Sequence, residues 1–103
     1  MYHCLNYMHK EILLIEDSPD IRAIVCNILK DQNFIVRTAA NYDQAYFEIN
    51  KKLPDLAIID IKLDKADKDG IDLLKLITQK NKLIPVIMIS GHATVKVAVE
   101  AIR

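Results

Sequence analysis

The stretch Ile12-Leu13-Leu14-Ile15-Glu16-Asp17-Ser18-Pro19-Asp20 decides how the chain folds. Four apolar residues run straight into two adjacent acids, and a serine and a proline follow at once. The strand from Glu11 to Glu16 is short and apolar throughout, as a strand covered on both faces must be. Ser18 suits a helix N-cap and Pro19 the first helical position. Ile21, Ile24, Val25, Ile28 and Leu29 then recur at helical spacing, giving one apolar stripe on a helix that ends near Asn33. Two like charges at the end of a buried strand cost free energy unless something positive compensates them.

Working outward, the alternation repeats. Phe34 to Thr38 reads as a second strand, more mixed and therefore at a sheet edge. Asn41 and Gln44 resemble a capping box, followed by a stripe of Tyr42, Ala45, Tyr46 and Ile49 that Pro54 ends. Asp55 to Asp60 is a third strand. A polar loop leads to Gly70 and to a helix with Ile71, Leu74 and Ile77 on one face. Pro85 opens a fourth strand running to Ser90. Gly91 to Ala93 make a turn, and Thr94 is placed to cap a last helix carrying Val95, Ala98, Val99 and Ile102. The order β-α-β-α-β-α-β-α, with apolar first, third and fourth strands, predicts an α/β fold: an open, doubly wound parallel sheet with helices on both sides.

The totals exclude several classes of function. The chain has 103 residues, enough for one domain, and 51% are hydrophobic, enough for a core. Fourteen basic residues balance fourteen acidic ones, so charge gives no reason to expect direct binding of nucleic acid or of an anionic membrane. No apolar run approaches the roughly 18 residues of a membrane span. Residues 1–9 read as an N-terminal extension without signal-peptide character, and the expected location is cytoplasmic. Cys4 and Cys26 read as free thiols, and His3, Cys4 and His9 fit no common metal spacing.

Chemistry concentrates at the strand ends. In an open parallel sheet, ligands bind beyond the carboxyl ends of the strands. There the first strand delivers Glu16 and Asp17, the third Asp60, and the fourth Ser90. If the first and third strands are neighbours, three carboxylates converge, and they cannot all stay ionised unaided. A hard divalent cation such as Mg2+ resolves this with oxygen ligands, and its open positions suit a phosphoryl group. Ser90 adds a hydroxyl, and small Gly91 and Ala93 leave room for an anion. Taken singly, each acid is as readily a cap or a solvated loop residue, Ser90 a turn residue and His92 a solvated turn histidine. It is their placement on three strand ends that points to phosphoryl chemistry. No glycine-rich loop follows the first strand, which argues against a dinucleotide or P-loop site.

These residues resemble a known family, the receiver (CheY-like) domain of two-component response regulators. The resemblance rests on Glu16-Asp17, on the strand ending at Asp60, on Ser90 with the Gly91-His92-Ala93-Thr94 that follows, and on Asp69-Gly70-Ile71-Asp72 after the long loop. It covers Lys10 to Arg103 and looks closest to the nitrogen-regulation (NtrX/NtrC-like) type. It implies a flavodoxin-like strand order 2-1-3-4 and a phosphorelay role in which Asp60 takes a phosphoryl group from a sensor histidine kinase. Asp17, Asp60 and the backbone carbonyl of Lys62 would ligate Mg2+, with Glu16 acting largely through water. Ser90 would sense the phosphoryl group. No separate substrate turnover is expected, so the chain is read as an acceptor rather than an enzyme.

There is one departure from the family pattern. The fifth strand with its lysine, and the fifth helix, have no counterpart before Arg103. This predicts an exposed apolar edge on the fourth strand, a partly uncovered stripe on the first helix, and a possible homodimer through the fourth strand and helix. The alternative function is a non-switching receiver fragment acting as an interaction or dimerisation module. A metal-dependent phosphatase ranks below both, because Lys62 stands where such an enzyme would carry a second acid.

Overall fold

The computed structural model describes residues 10–61, 70–89 and, for the backbone, 95–97. The elements in chain order are β1 (Glu11–Ile15), α1 (Pro19–Asp31), β2 (Ile35–Ala39), α2 (Tyr42–Lys51), β3 (Leu56–Asp60), α3 (Gly70–Lys80), β4 (Val86–Ile89) and β5 (Val95–Val97). Strands β1 to β4 are parallel in the order β2-β1-β3-β4, the expected 2-1-3-4 arrangement.

Alternation along β1 sorts its side chains between two layers. Leu13 and Ile15 join Ala57, Ile59, Val86 and Met88 under α2 and α3, which add Ala45, Ile49, Leu73 and Ile77. Ile12 and Leu14 face the other way with Ile58, against Val25, Cys26 and Leu29 of α1. Both faces of β1 are therefore covered, which is why its sequence is unbroken apolar. β2 lies at the edge and carries half-exposed and polar positions.

The helix signals act as read. The Ser18 hydroxyl accepts from the Ile21 N–H at 3.4 Å, with Pro19 in the first turn. Asn41 Oδ1 accepts from the Gln44 N–H at 2.8 Å, and Gln44 Oε1 accepts from the Ala40 N–H at 2.8 Å. The α1 helix closes at Asp31, and Asn33 (φ 70°) turns the chain through the left-handed region, where asparagine is tolerated.

Three sequence readings need correction. Val95 to Val97, read as the start of a helix, form β5, which pairs antiparallel with β4 (Ile87↔Val97, Ile89↔Val95). Unpaired backbone groups on an apolar edge strand attract any β-competent segment, and two valines suit that role. The expected exposed edge of β4 is thus occupied along this register, which removes the strand-edge route to a homodimer there. On α3 the buried positions are Gly70, Leu73 and Ile77, while Ile71 is exposed. Thr94, Ala98, Val99 and Ile102 lie outside the described residues, as does the 1–9 extension. The uncovered stripe on α1 is present: Ile21, Ile24 and Ile28 are 47%, 59% and 57% exposed, and no residue of this helix is fully buried.

A polar knot ties β2 to α2. Arg37 Nη1 donates to the Glu48 carbonyl (3.0 Å) and to Glu48 Oε1 (2.7 Å), and Nη2 donates to the Lys52 carbonyl (2.6 Å). Nη2 also lies 3.2 Å from Glu11 Oε1. The guanidinium thereby takes the Lys52 carbonyl, one of those a helix end leaves without an intrahelical partner, and shares the Glu48 carbonyl with the Lys52 N–H (3.1 Å).

Candidate functional site

β1 and β3 are neighbours, with Ile15 opposite Ile59. Their next residues, Glu16 and Asp60, therefore meet at the carboxyl rim, and Asp17 joins them from the start of the loop. One carboxylate oxygen from each of Glu16, Asp17 and Asp60 lies within 4.8 Å of the other two. Glu16 and Asp60 are buried (4% and 8% exposed), whereas Asp17 is exposed. Two acids are thus fixed by the sheet and the third faces solvent.

The loop that carries the pair is short and tied at several points. The Glu16 N–H donates to the Ala39 carbonyl at 3.0 Å, extending the β1–β2 ladder by one rung. Glu16 Oε2 accepts from the Ser18 N–H at 3.0 Å. From the first turn of α1, Arg22 Nη1 donates to the Glu16 carbonyl at 2.8 Å. Arg22 was not singled out in the sequence. It stands six residues after Glu16, where the first helical turn brings a side chain back over the strand end.

Electrostatics follow from this geometry. Burial pushes the Glu16 carboxyl up from 4.5 to about 7, opposed by the Ser18 N–H and reinforced by Asp17 and by the charge of Asp60. Such convergence suits a cation bound by oxygen. All three donors are hard carboxylates, the set that favours Mg2+ over softer metals.

Gly70 is a second residue whose part sequence reading missed. Its N–H donates to the Ile61 carbonyl at 2.9 Å, just after Asp60. A Cβ there would stand 2.3 Å from the Asp60 carbonyl oxygen, 2.9 Å from Ile59 Cγ2 and 2.9 Å from Ile61 Cα. Only glycine lets the start of α3 rest on the backbone that carries Asp60. The available signal was the Asp69-Gly70 pair opening a helix.

β4 ends at Ile89, on the same rung as Asp60. Ser90, the next position, and Lys62 lie outside the described residues. Shallow hollows on α2 and below β1 lie away from the acids and include none of them.

The response regulator receiver domain pattern matches residues 12–103. The nitrogen assimilation regulatory protein NtrX of Azorhizobium caulinodans is 41% identical over 96 residues, which are 93% of this chain and 21% of that protein. The chain thus spans about a fifth of the length of that relative. The solved receiver domain of NtrX from Brucella abortus is 39% identical, with a TM-score of 0.73, over 87% of this chain and 72% of that one. The response regulator protein TrrA of Thermotoga maritima, solved in complex with Mg2+-BeF, is 27% identical with a TM-score of 0.72, over 81% of this chain and 72% of that one. Matched along nearly its whole length by that pattern, and superposing on solved receiver domains, the chain belongs to the response regulator receiver family.

Proposed function

We propose that the chain is the phosphoacceptor of a two-component phosphorelay, with Asp60 receiving the phosphoryl group from a sensor histidine kinase. The observation that carries this reading is the convergence of Glu16, Asp17 and Asp60 within 4.8 Å at the carboxyl rim. The TrrA relative supports it, because its structure holds Mg2+ with a beryllium fluoride.

In this reading a carboxylate oxygen of Asp60 attacks phosphorus. The P–N bond to the kinase histidine breaks, and the freed imidazole takes up a proton. The product is an acyl phosphate on Asp60. Asp17, Asp60 and the Lys62 carbonyl would hold Mg2+ directly, with Glu16 bonding through water. Bound there, Mg2+ supplies charge neutralisation for the phosphoryl oxygens. Burial of Asp60 keeps bulk water from its carboxylate, and Arg22 and Ser18 fix the loop that aims Asp17. The Ser90 hydroxyl would turn towards the phosphoryl oxygen and bias a two-state equilibrium. The chain acts as an acceptor without a separate substrate, in the cytoplasm.

The test is Mg2+-dependent labelling by a small phosphodonor such as acetyl phosphate, followed by intact mass. One added phosphoryl group that requires Mg2+ is expected. No labelling at saturating donor and metal overturns the proposal. The metal roles predict that Asp17→Ala weakens Mg2+ binding, measured calorimetrically, well beyond Glu16→Ala; equal affinities would contradict them.

A further inference from the structure

The outer face of α2 carries an arrangement that the acid cluster does not use. Phe47 is 64% exposed and Tyr46 43%, high values for aromatic rings. Asp43 stands four residues before Phe47 and Lys51 four residues after it, and both are exposed. Shallow hollows lie on either side of the ring. One of about 720 Å³ is lined by Asp43, Tyr46, Phe47, Asn50 and Lys51. The other, of about 320 Å³, lies among Thr38, Asp43, Gln44, Phe47 and Glu48.

Residues at i, i+4 and i+8 form a ridge along a helix surface. On this ridge the order is acid, ring, base, with Asp43 and Lys51 about 12 Å apart along the axis. Turned end for end about Phe47, the ridge presents base, ring, acid and so complements itself. Ridges at four-residue spacing pack into each other's grooves at about −50°. A two-fold axis passing beside Phe47, between the two ridges, then sets Asp43 of each copy against Lys51 of the other. It also places each Phe47 ring in a hollow beside the opposite one. Neither Asp43 nor Lys51 makes an ion pair among the described residues, so both are available for this pairing.

We propose that this face of α2 is a self-association surface whose occupant is a second copy of the same chain, bound antiparallel and centred on Phe47. The surface lies on α2, not on β4 or its edge, and the proposal does not depend on phosphoryl transfer at Asp60. One helix ridge is a small interface, so the dimer is weak, with a Kd of roughly 10 μM to 1 mM.

The test is sedimentation equilibrium of the 103-residue chain up to millimolar concentration. A monomer–dimer equilibrium is expected. Phe47→Ala, at an exposed position that leaves the core intact, should weaken it about tenfold or more. Asp43→Lys or Lys51→Asp alone should weaken it similarly, because each sets like charges opposite one another at both ends. Mixing these two variants should restore association to within about threefold of the parent, because each mixed pair again joins acid to base. Mixing leaves the helix-dipole cost of each substitution unchanged, so a restored dimer reports the geometry. A parent chain that stays monomeric throughout, a dimer that persists in Phe47→Ala, or charge variants that fail to restore each other on mixing overturns the proposal.

Discussion

Replacing Gly70 by alanine tests how closely α3 must approach the strand that carries Asp60. The added methyl would lie 2.3 Å from the Asp60 carbonyl oxygen, more than 1 Å inside ordinary van der Waals contact. It would also press on Ile61 Cα and Ile59 Cγ2, both at 2.9 Å. The crowding atoms are mostly backbone in a buried strand, so no flexible side chain can swing away. Backbone conformation is not the obstacle, because no described glycine has positive φ. Overpacking of this kind costs about 1–3 kcal/mol, and alanine regains up to about 1 kcal/mol through its better helix propensity. A net loss near 2 kcal/mol lowers the melting temperature of a domain this size by roughly 8–16 °C. Thermal unfolding followed by far-UV circular dichroism measures the loss. Acetyl phosphate labelling of the folded variant should also slow by about tenfold or more, since pushing the Asp60 backbone misplaces its carboxylate. A Gly70→Ala chain that melts with the parent and labels at the same rate would refute the close-packing argument.

Three further outcomes follow from the same geometry. Glu16 holds its proton to about pH 7 in the fold against 4.5 ordinarily, so stability without metal should fall as pH rises from 4.5 to 7 and level off above. Glu16→Gln should flatten that slope and be the more stable protein at pH 8, by roughly 1–3 kcal/mol in urea titrations; parallel profiles for the two proteins would contradict the burial argument. Arg37→Leu leaves Glu48 and the end of α2 without their cation, and Glu11 with only Lys52 Nζ at 3.9 Å, and should cost about 2–3 kcal/mol, read as a lower urea midpoint; an unchanged midpoint would show the knot to be neutral. Asn41→Ala removes the α2 cap and should cost about 1 kcal/mol in the same titration, whereas no loss would show solvent serving the Gln44 N–H equally well.

Much of the fold was legible because its strongest signals are local. Covered strands must be apolar, and caps must carry particular side chains, so β1, β3, β4 and the starts of α1 and α2 could be read directly. The acid cluster was legible one step further, through the parallel pairing that sets Ile15 beside Ile59. What escaped depends on contacts distant in sequence. Val95 to Val97 fit either period, and the open edge of β4 decides for strand. Ile71 and Leu73 are both apolar, but only tertiary packing selects Leu73 for the core. Arg37 looked like an ordinary polar residue of an edge strand, and its four contacts come from β1, α2 and the residue that follows α2. Gly70 announced a turn, while its actual constraint is the Asp60 backbone lying against it.

The central claim is that Asp60, rather than either acid of the Glu16-Asp17 pair, takes the phosphoryl group. The most direct measurement treats the acetyl phosphate-labelled protein with borohydride, which reduces an acyl phosphate to an alcohol, and maps the altered residue by peptide mass spectrometry. The account predicts conversion at Asp60 alone, dependent on Mg2+ during labelling and absent from Asp60→Asn. Conversion at Glu16 or Asp17, or labelling that survives in Asp60→Asn, would contradict it.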